Sequence, residues 1–132
     1  MLNITRKVEY ALIALRHMQS KNDGAITSTN EIAKQYGVPR QLLAKTLQQM
    51  AHHNILEAVQ GPAGGYKIVA ELDKISLKDF FEKLEGPLGM MDCYFDSDCL
   101  QITNCNIRLP IQRINNNMRD MFAQMSLRDV TK

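Results

Sequence analysis

What this 132-residue chain lacks removes several classes of protein at once. It has no run of apolar residues long enough to span a bilayer and no basic-then-apolar opening of the secretory type, so a cytoplasmic protein is expected. Cysteine is scarce and odd in number, three residues at Cys93, Cys99 and Cys105, and in a cytoplasmic protein that argues against a disulfide framework. Their spacing is also not the C-x2-C of a zinc ribbon. No recognisable motif brings a nucleophile and a base together, so enzymatic activity is not expected. The net charge is only +2, too small by itself to argue for a nucleic-acid partner.

What is present is ordinary globular composition, 45% hydrophobic and 23% charged, with room for one core. The charge is unevenly spread. Residues 1–67 carry eight Lys and Arg against four Asp and Glu, whereas residues 68–132 carry eight against ten. The basic half contains the stretch around which the chain is organised, Ser28 to Tyr66.

Ser28 stands three residues ahead of Glu31, the spacing of a capping box, in which each side chain satisfies a free backbone N–H near the other. Ile32 and Ala33 then face inward, and Gly37 can adopt the left-handed conformation that closes a helix. Pro39 suits the first turn of the next helix. From there Leu43, Leu47 and Met50 recur at spacings of four and three, one apolar face, while Arg40, Gln41, Lys45 and Gln48 lie on or near the opposite one. Gln can pair with adenine, Arg with guanine, and Lys can neutralise phosphate. A polar face alone is more often that of a solvated helix in a bundle. The next stretch of chain favours DNA: Leu56 to Gln60 and Tyr66 to Ala70 are strand-like, and Gly61-Pro62-Ala63-Gly64-Gly65 between them is too permissive for a helix. Two helices across a tight turn with a hairpin behind them form a winged helix-turn-helix.

Thr5 to about Gln19 reads as a helix backing this unit, with Val8, Ala11, Leu12, Leu15 and Met18 on one side. Glu9 lies just off that stripe and on spacing alone is a solvated charge. Lys21 to Thr27 is a loop, His52 and His53 end the recognition helix, and Ser76 caps a short helix from Leu77 to Glu85 that stops at Gly86-Pro87. Leu88 to Asn104 shows neither helical nor strand periodicity.

Near the end, Ile107, Ile111, Ile114, Met118, Met121 and Met125 follow spacings of 4, 3, 4, 3 and 4, a heptad seam. Eighteen steps at about 1.5 Å give a helix of roughly 27 Å, and Pro110 requires it to begin between about Asn106 and Leu109. A second copy of the same helix would cover the seam with two-fold symmetry; the alternative is that it packs back on its own domain. A homodimer implies paired half-sites and a palindromic operator.

Residues six apart on a helix differ by about 240°, and on a strand the outer two cysteines would stand about 40 Å apart. The three thiols therefore act together only if a loop gathers them, in which case zinc or iron–sulfur chemistry suits them; free, unconnected thiols are equally compatible with the spacing.

The wing GPAGGY at Gly61 to Tyr66, the opening ITRKVEYAL at Ile4 to Leu12 and the cysteines at 93, 99 and 105 together make the chain resemble the Rrf-two family of winged-helix regulators, over essentially its whole length. The resemblance implies a mainly α fold, a winged helix-turn-helix with a small β-hairpin wing and a long C-terminal dimerisation helix. It implies a DNA-binding domain over 1–86, a cysteine-bearing sensor loop over 87–106, and a dimerisation helix and tail over 107–132. The implied DNA-contacting set is Ser28, Thr29, Arg40, Gln41, Lys45, Gln48, Gln60, Gly61, Gly64, Gly65, Tyr66 and Lys67. The implied cofactor is an iron–sulfur cluster, 2Fe–2S or 4Fe–4S, on Cys93, Cys99 and Cys105.

Members differ in the fourth ligand. IscR-like proteins have a His three residues after the third cysteine, where this chain has Arg108, which cannot ligate. NsrR-like proteins use a carboxylate in the first helix donated by the other subunit, and the matching residue is Glu9. Gln60 is a second departure, standing where cluster-binding relatives often carry Arg. The expectation is a homodimeric repressor whose promoter affinity a cluster sets in response to nitric oxide, redox or iron status. The alternatives are a zinc- or thiol-redox-responsive regulator of the same fold and a metal-free one controlled by a protein partner.

Overall fold

The computed structural model describes residues 5–21, 24–86 and 106–132. Cys93, Cys99 and Cys105 lie outside the described residues. In chain order the elements are helices α1 (Arg6–Gln19), α2 (Thr29–Tyr36) and α3 (Arg40–His52), strands β1 (Leu56–Val59) and β2 (Gly65–Ile68), a 3-10 turn at Leu72–Lys74, and helices α4 (Leu77–Glu85), α5 (Arg108–Gln124) and α6 (Leu127–Thr131). The strands form one antiparallel hairpin with Leu56 opposite Ile68 and Val59 opposite Gly65. The winged helix-turn-helix expected from the sequence is therefore the fold.

Local chemistry sets most of the boundaries. The hydroxyls of Thr5, Ser28, Ser76 and Ser126 each accept the backbone N–H of the residue three positions on, capping α1, α2, α4 and α6. Each such cap is worth about 1 kcal/mol. Gly37 closes α2 in the left-handed region at φ 65°. Asn54 does the same for α3 at φ 63°, an angle that Asn tolerates better than most side chains. The N–H of Ile55 then donates to Met50 O at 3.0 Å and that of Asn54 to Ala51 O at 3.0 Å, the paired bonds of a Schellman stop. Ile55 is buried beside them.

The core lies where α1, α3 and α4 meet behind the wing. Ala11, Ala14, Leu15, Ile32, Leu43, Leu47, Met50, Phe80 and Leu127 are all fully buried. On α1 the inner face is Val8, Ala11, Ala14, Leu15 and Met18, with Leu12 only half-buried. The expected stripe is thus rotated slightly, so that Ala14 and not Leu12 meets the neighbouring helices closely.

Two expectations need correction. The heptad spacing predicts a seam running through Met125 on a single helix, but α5 ends at Gln124 and Met125 is extended. Ser126 and Asp129 form a reciprocal capping box that starts α6, and Leu127 plugs into the core. Met125 leaves the seam and packs against that core, while its carbonyl accepts the N–H of Leu77 at 2.9 Å. The other correction concerns Ser28 and Glu31, whose box is only half made. Ser28 Oγ accepts the N–H of Glu31 at 3.1 Å, but the Glu31 carboxylate turns away to His17 and Lys21.

Pro110 falls in the first turn of α5, as its missing N–H requires. That helix lies on α4 through one stripe: Phe122 meets Phe81 edge-on at 5.4 Å, Arg119 pairs with Glu82 at 3.2 Å, and Asn115 is buried. The apolar seam sits on the adjacent stripe, about 100° around the helix. Ile107, Ile114 and Met121 are each about half exposed, at 50%, 48% and 52%. The helix packs on its own domain and still leaves the seam open.

Candidate nucleic-acid interface

The turn Gly37-Val38 sets α3 against α2, and burial of Val38, Leu43, Leu47 and Met50 fixes which way α3 faces. Arg40, Gln41, Lys45 and Gln48 are all exposed in consequence. Sequence reasoning missed Asn30. It projects from α2, and its Oδ1 accepts the Nε–H of Arg40. That bond holds the root of the guanidinium while its two terminal nitrogens stay available for a forked contact with guanine. Ser28 and Thr29 sit at the start of α2, where free backbone N–H groups suit a phosphate.

The wing is fastened to that same point. Thr27 and Tyr66 exchange backbone hydrogen bonds of 2.9 and 2.8 Å, so strand β2 is stitched to the residue before the Ser28 cap. The close approach explains the paired glycines. A Cβ on Gly65 would lie 2.3 Å from Thr27 O, and one on Gly64 2.1 Å from Val59 O. Gln60 and Gly61 are exposed at the tip, and Tyr66 and Lys67 are half-buried along β2. Gly65→Ala is expected to lower stability by about 1–3 kcal/mol, the usual cost of forcing extra volume into a closed space, read as a lower midpoint in urea unfolding. An unchanged midpoint would show that the strand can move off Thr27 freely.

Behind the interface, α1 is tied to α2 by a part-buried polar junction, centred on buried His17, that the apolar periodicity gave no hint of. His17, 8% exposed, has Nδ1 at 2.8 Å from the Tyr36 hydroxyl and Nε2 at 2.6 Å from Glu31 Oε2. Because a carboxylate only accepts, Nε2 carries the proton in that pair. Lys21 Nζ is 2.5 Å from the same carboxylate oxygen. Lys21 first, and then His17, hold the Glu31 carboxyl below its ordinary value.

Glu9 lies on the exposed side of α1, 46% exposed, with Arg6 Nη1 at 3.1 Å as its partner. Arg108 opens α5. Among the described residues no group of three His, Cys, Asp or Glu converges in a way that would hold a metal ion, and none of the helices there is long and apolar enough to cross a membrane.

Comparison with known proteins gives a consistent picture. Residues 4–132 match the model of the Rrf2 (Rrf-two) family, described as iron-dependent transcriptional regulators. The chain is 27% identical over 126 residues to an Aquifex aeolicus (strain VF5) protein named for HTH-type transcriptional regulation, covering 93% of this chain and 87% of that one. Among solved structures, CymR, the global cysteine regulator of B. subtilis, superposes with a TM-score of 0.76 at 24% identity, over 99% of this chain and 97% of that one. IscR of T. potens superposes with a TM-score of 0.71 at 19% identity, over 97% and 85%. At these identities the two structures speak to the fold.

Proposed function

The chain belongs to the Rrf2 family of DNA-binding transcriptional regulators, and from that premise we propose that it acts in the cytoplasm as a homodimeric repressor whose operator affinity is set by an iron–sulfur cluster. The observation that carries the DNA-reading half is the outward face of α3, with Arg40, Gln41, Lys45 and Gln48 exposed beside a wing anchored at Thr27. Arg40 and Gln41 read base edges. Lys45, Lys67 and the start of α2 at Ser28 and Thr29 bind phosphate. Gln60, Gly61, Gly64, Gly65 and Tyr66 shape the wing that lies along the backbone. The open seam of α5 supports a second copy as its cover, and a two-fold dimer then reads a palindromic site.

The donor set fits an iron–sulfur centre: thiolates of Cys93, Cys99 and Cys105, and the Glu9 carboxylate, which is open on α1 and paired with an exposed Arg6. Three thiolates and one oxygen donor would hold such a cluster, and the harder oxygen donor would be its weaker ligand, the chemistry that would suit a sensor of nitric oxide, oxygen or iron shortage. As the resemblance to NsrR-like proteins implies, the fourth ligand would come from the partner subunit's copy of the first helix. A second reading compatible with the same fold is control by a partner protein without a metal.

Operator binding tests the DNA-reading half directly. Arg40→Ala is expected to cost about 1–3 kcal/mol and to relax preference at one base pair, whereas Lys45→Ala weakens all sequences alike and lowers the salt slope by about 1. Fluorescence anisotropy on a selected operator and a scrambled duplex, across a salt series, measures both. If neither substitution alters binding, α3 is not the reading helix.

A further inference from the structure

The chain leaves α4 at Glu85 and Gly86 and runs directly into the residues that bear the cysteines. A helix end exposes carbonyls that have no partner in the helix itself, and here they are claimed from two other elements. Gln49, on the flank of the recognition helix α3, donates Nε2–H to Lys83 O at 3.2 Å and to Leu84 O at 3.3 Å. Lys7 on α1 donates Nζ–H to the same Leu84 O at 3.3 Å. Thr5, the cap of α1, donates its hydroxyl to Glu85 Oε1 at 2.6 Å. The last turn of α4 is thus held by the reading helix on one side and, on the other, by the helix that carries Glu9.

Building on the cluster-sensing function proposed above, we infer that Gln49 is a positioning residue that relays the state of the segment after α4 to the recognition helix. The amide is placed for this role. It points inward to main-chain carbonyls, away from the exposed face of Arg40, Gln41, Lys45 and Gln48, and it is the polar side chain of α3 whose hydrogen bonds go to α4. Hydrogen bonds to carbonyls follow the backbone, so a shift of the α4 exit draws α3 with it. Lys7 and Thr5 make the same shift felt at α1, which links the two elements that matter to sensing and reading.

The test compares operator affinity of the cluster-loaded and the metal-free dimer, measured separately by anisotropy, for the unsubstituted protein, Gln49→Met and Gln49→Lys. Met keeps the bulk and removes the donor, and Lys restores a donor to the same carbonyls. In the unsubstituted protein the two forms are expected to differ by roughly 5- to 150-fold. In Gln49→Met the ratio falls to within about 2-fold of unity, with the melting temperature and the affinity of one form nearly kept. Gln49→Lys recovers the ratio. A direct DNA contact would instead lower both forms equally and leave the ratio alone, and that result overturns the relay while the cluster reading stands. Equal affinities of the two forms in the unsubstituted protein would refute the cluster reading and the relay together.

Discussion

Ile114→Glu combined with Met121→Glu is expected to give a folded monomer that has lost tight operator binding. Each of these side chains is about half exposed in the single chain, so its substitution there costs little. Burying the remaining half of each at a two-fold seam contributes about 0.8–1.5 kcal/mol, half the value for a fully exposed side chain, and the double variant replaces four such contributions per dimer by four carboxylates that repel across the axis. The separate attachment of α5 to α4 through Phe122 and Phe81, and through Arg119 and Glu82, predicts that helix content survives. Two linked half-site contacts become one, and the avidity lost is on the order of 10²- to 10⁴-fold. Sedimentation or light scattering reads the mass, and anisotropy reads the affinity. A variant that stays dimeric would place the subunit contact elsewhere on the surface.

Replacing Cys93, Cys99 and Cys105 together by Ala is the other substitution with a large expected effect. Oxygen-free protein purified with its cluster is expected to absorb visibly, and the triple variant to be colourless. Its operator affinity should be fixed at that of the metal-free form, a change of roughly 5- to 150-fold from the loaded one. Mössbauer spectra of the unsubstituted protein distinguish two irons from four and both from zinc. Glu9→Ala separates the carboxylate's part, leaving the thiolates in place and the cluster more easily lost. If regulation continues undisturbed in the triple variant, control passes through a protein partner and the thiols are incidental.

The winged helix-turn-helix was legible in the sequence because each of its signals is local. Ser28, Gly37 and Pro39 mark helix ends by their own conformational preferences, and the spacing of Leu43, Leu47 and Met50 dictates which face of α3 stays exposed. The paired glycines could be seen as a wing tip, but their cause could not, since it depends on where Thr27 arrives from another part of the chain. The same holds for His17, a polar residue on an apolar face whose partners come from α2, and for Gln49, which periodicity leaves undistinguished between Gln48 and Met50. At the end of the chain a heptad count overran a real stop. Ser126-x-x-Asp129 was a capping signal in plain view, and it outweighed one more apolar residue in register because burying Leu127 rewards the break. Periodicity finds elements, and the polar residues that fasten one element to another become visible only when the elements are packed.

The stitching of β2 to Thr27 constrains how such a protein can acquire a new binding site. With Gly64 and Gly65 pressed against main chain on either side, neither position can take a side chain without loosening the wing, so neither can be recruited to discriminate one promoter from another. On the proposed DNA-reading surface, retargeting would fall to exposed Gln60 before the tip, to half-buried Lys67 after it, and to the four exposed residues of α3. A library that diversifies those six positions while leaving the glycines untouched is the shortest route to variants with altered operator choice and intact folding.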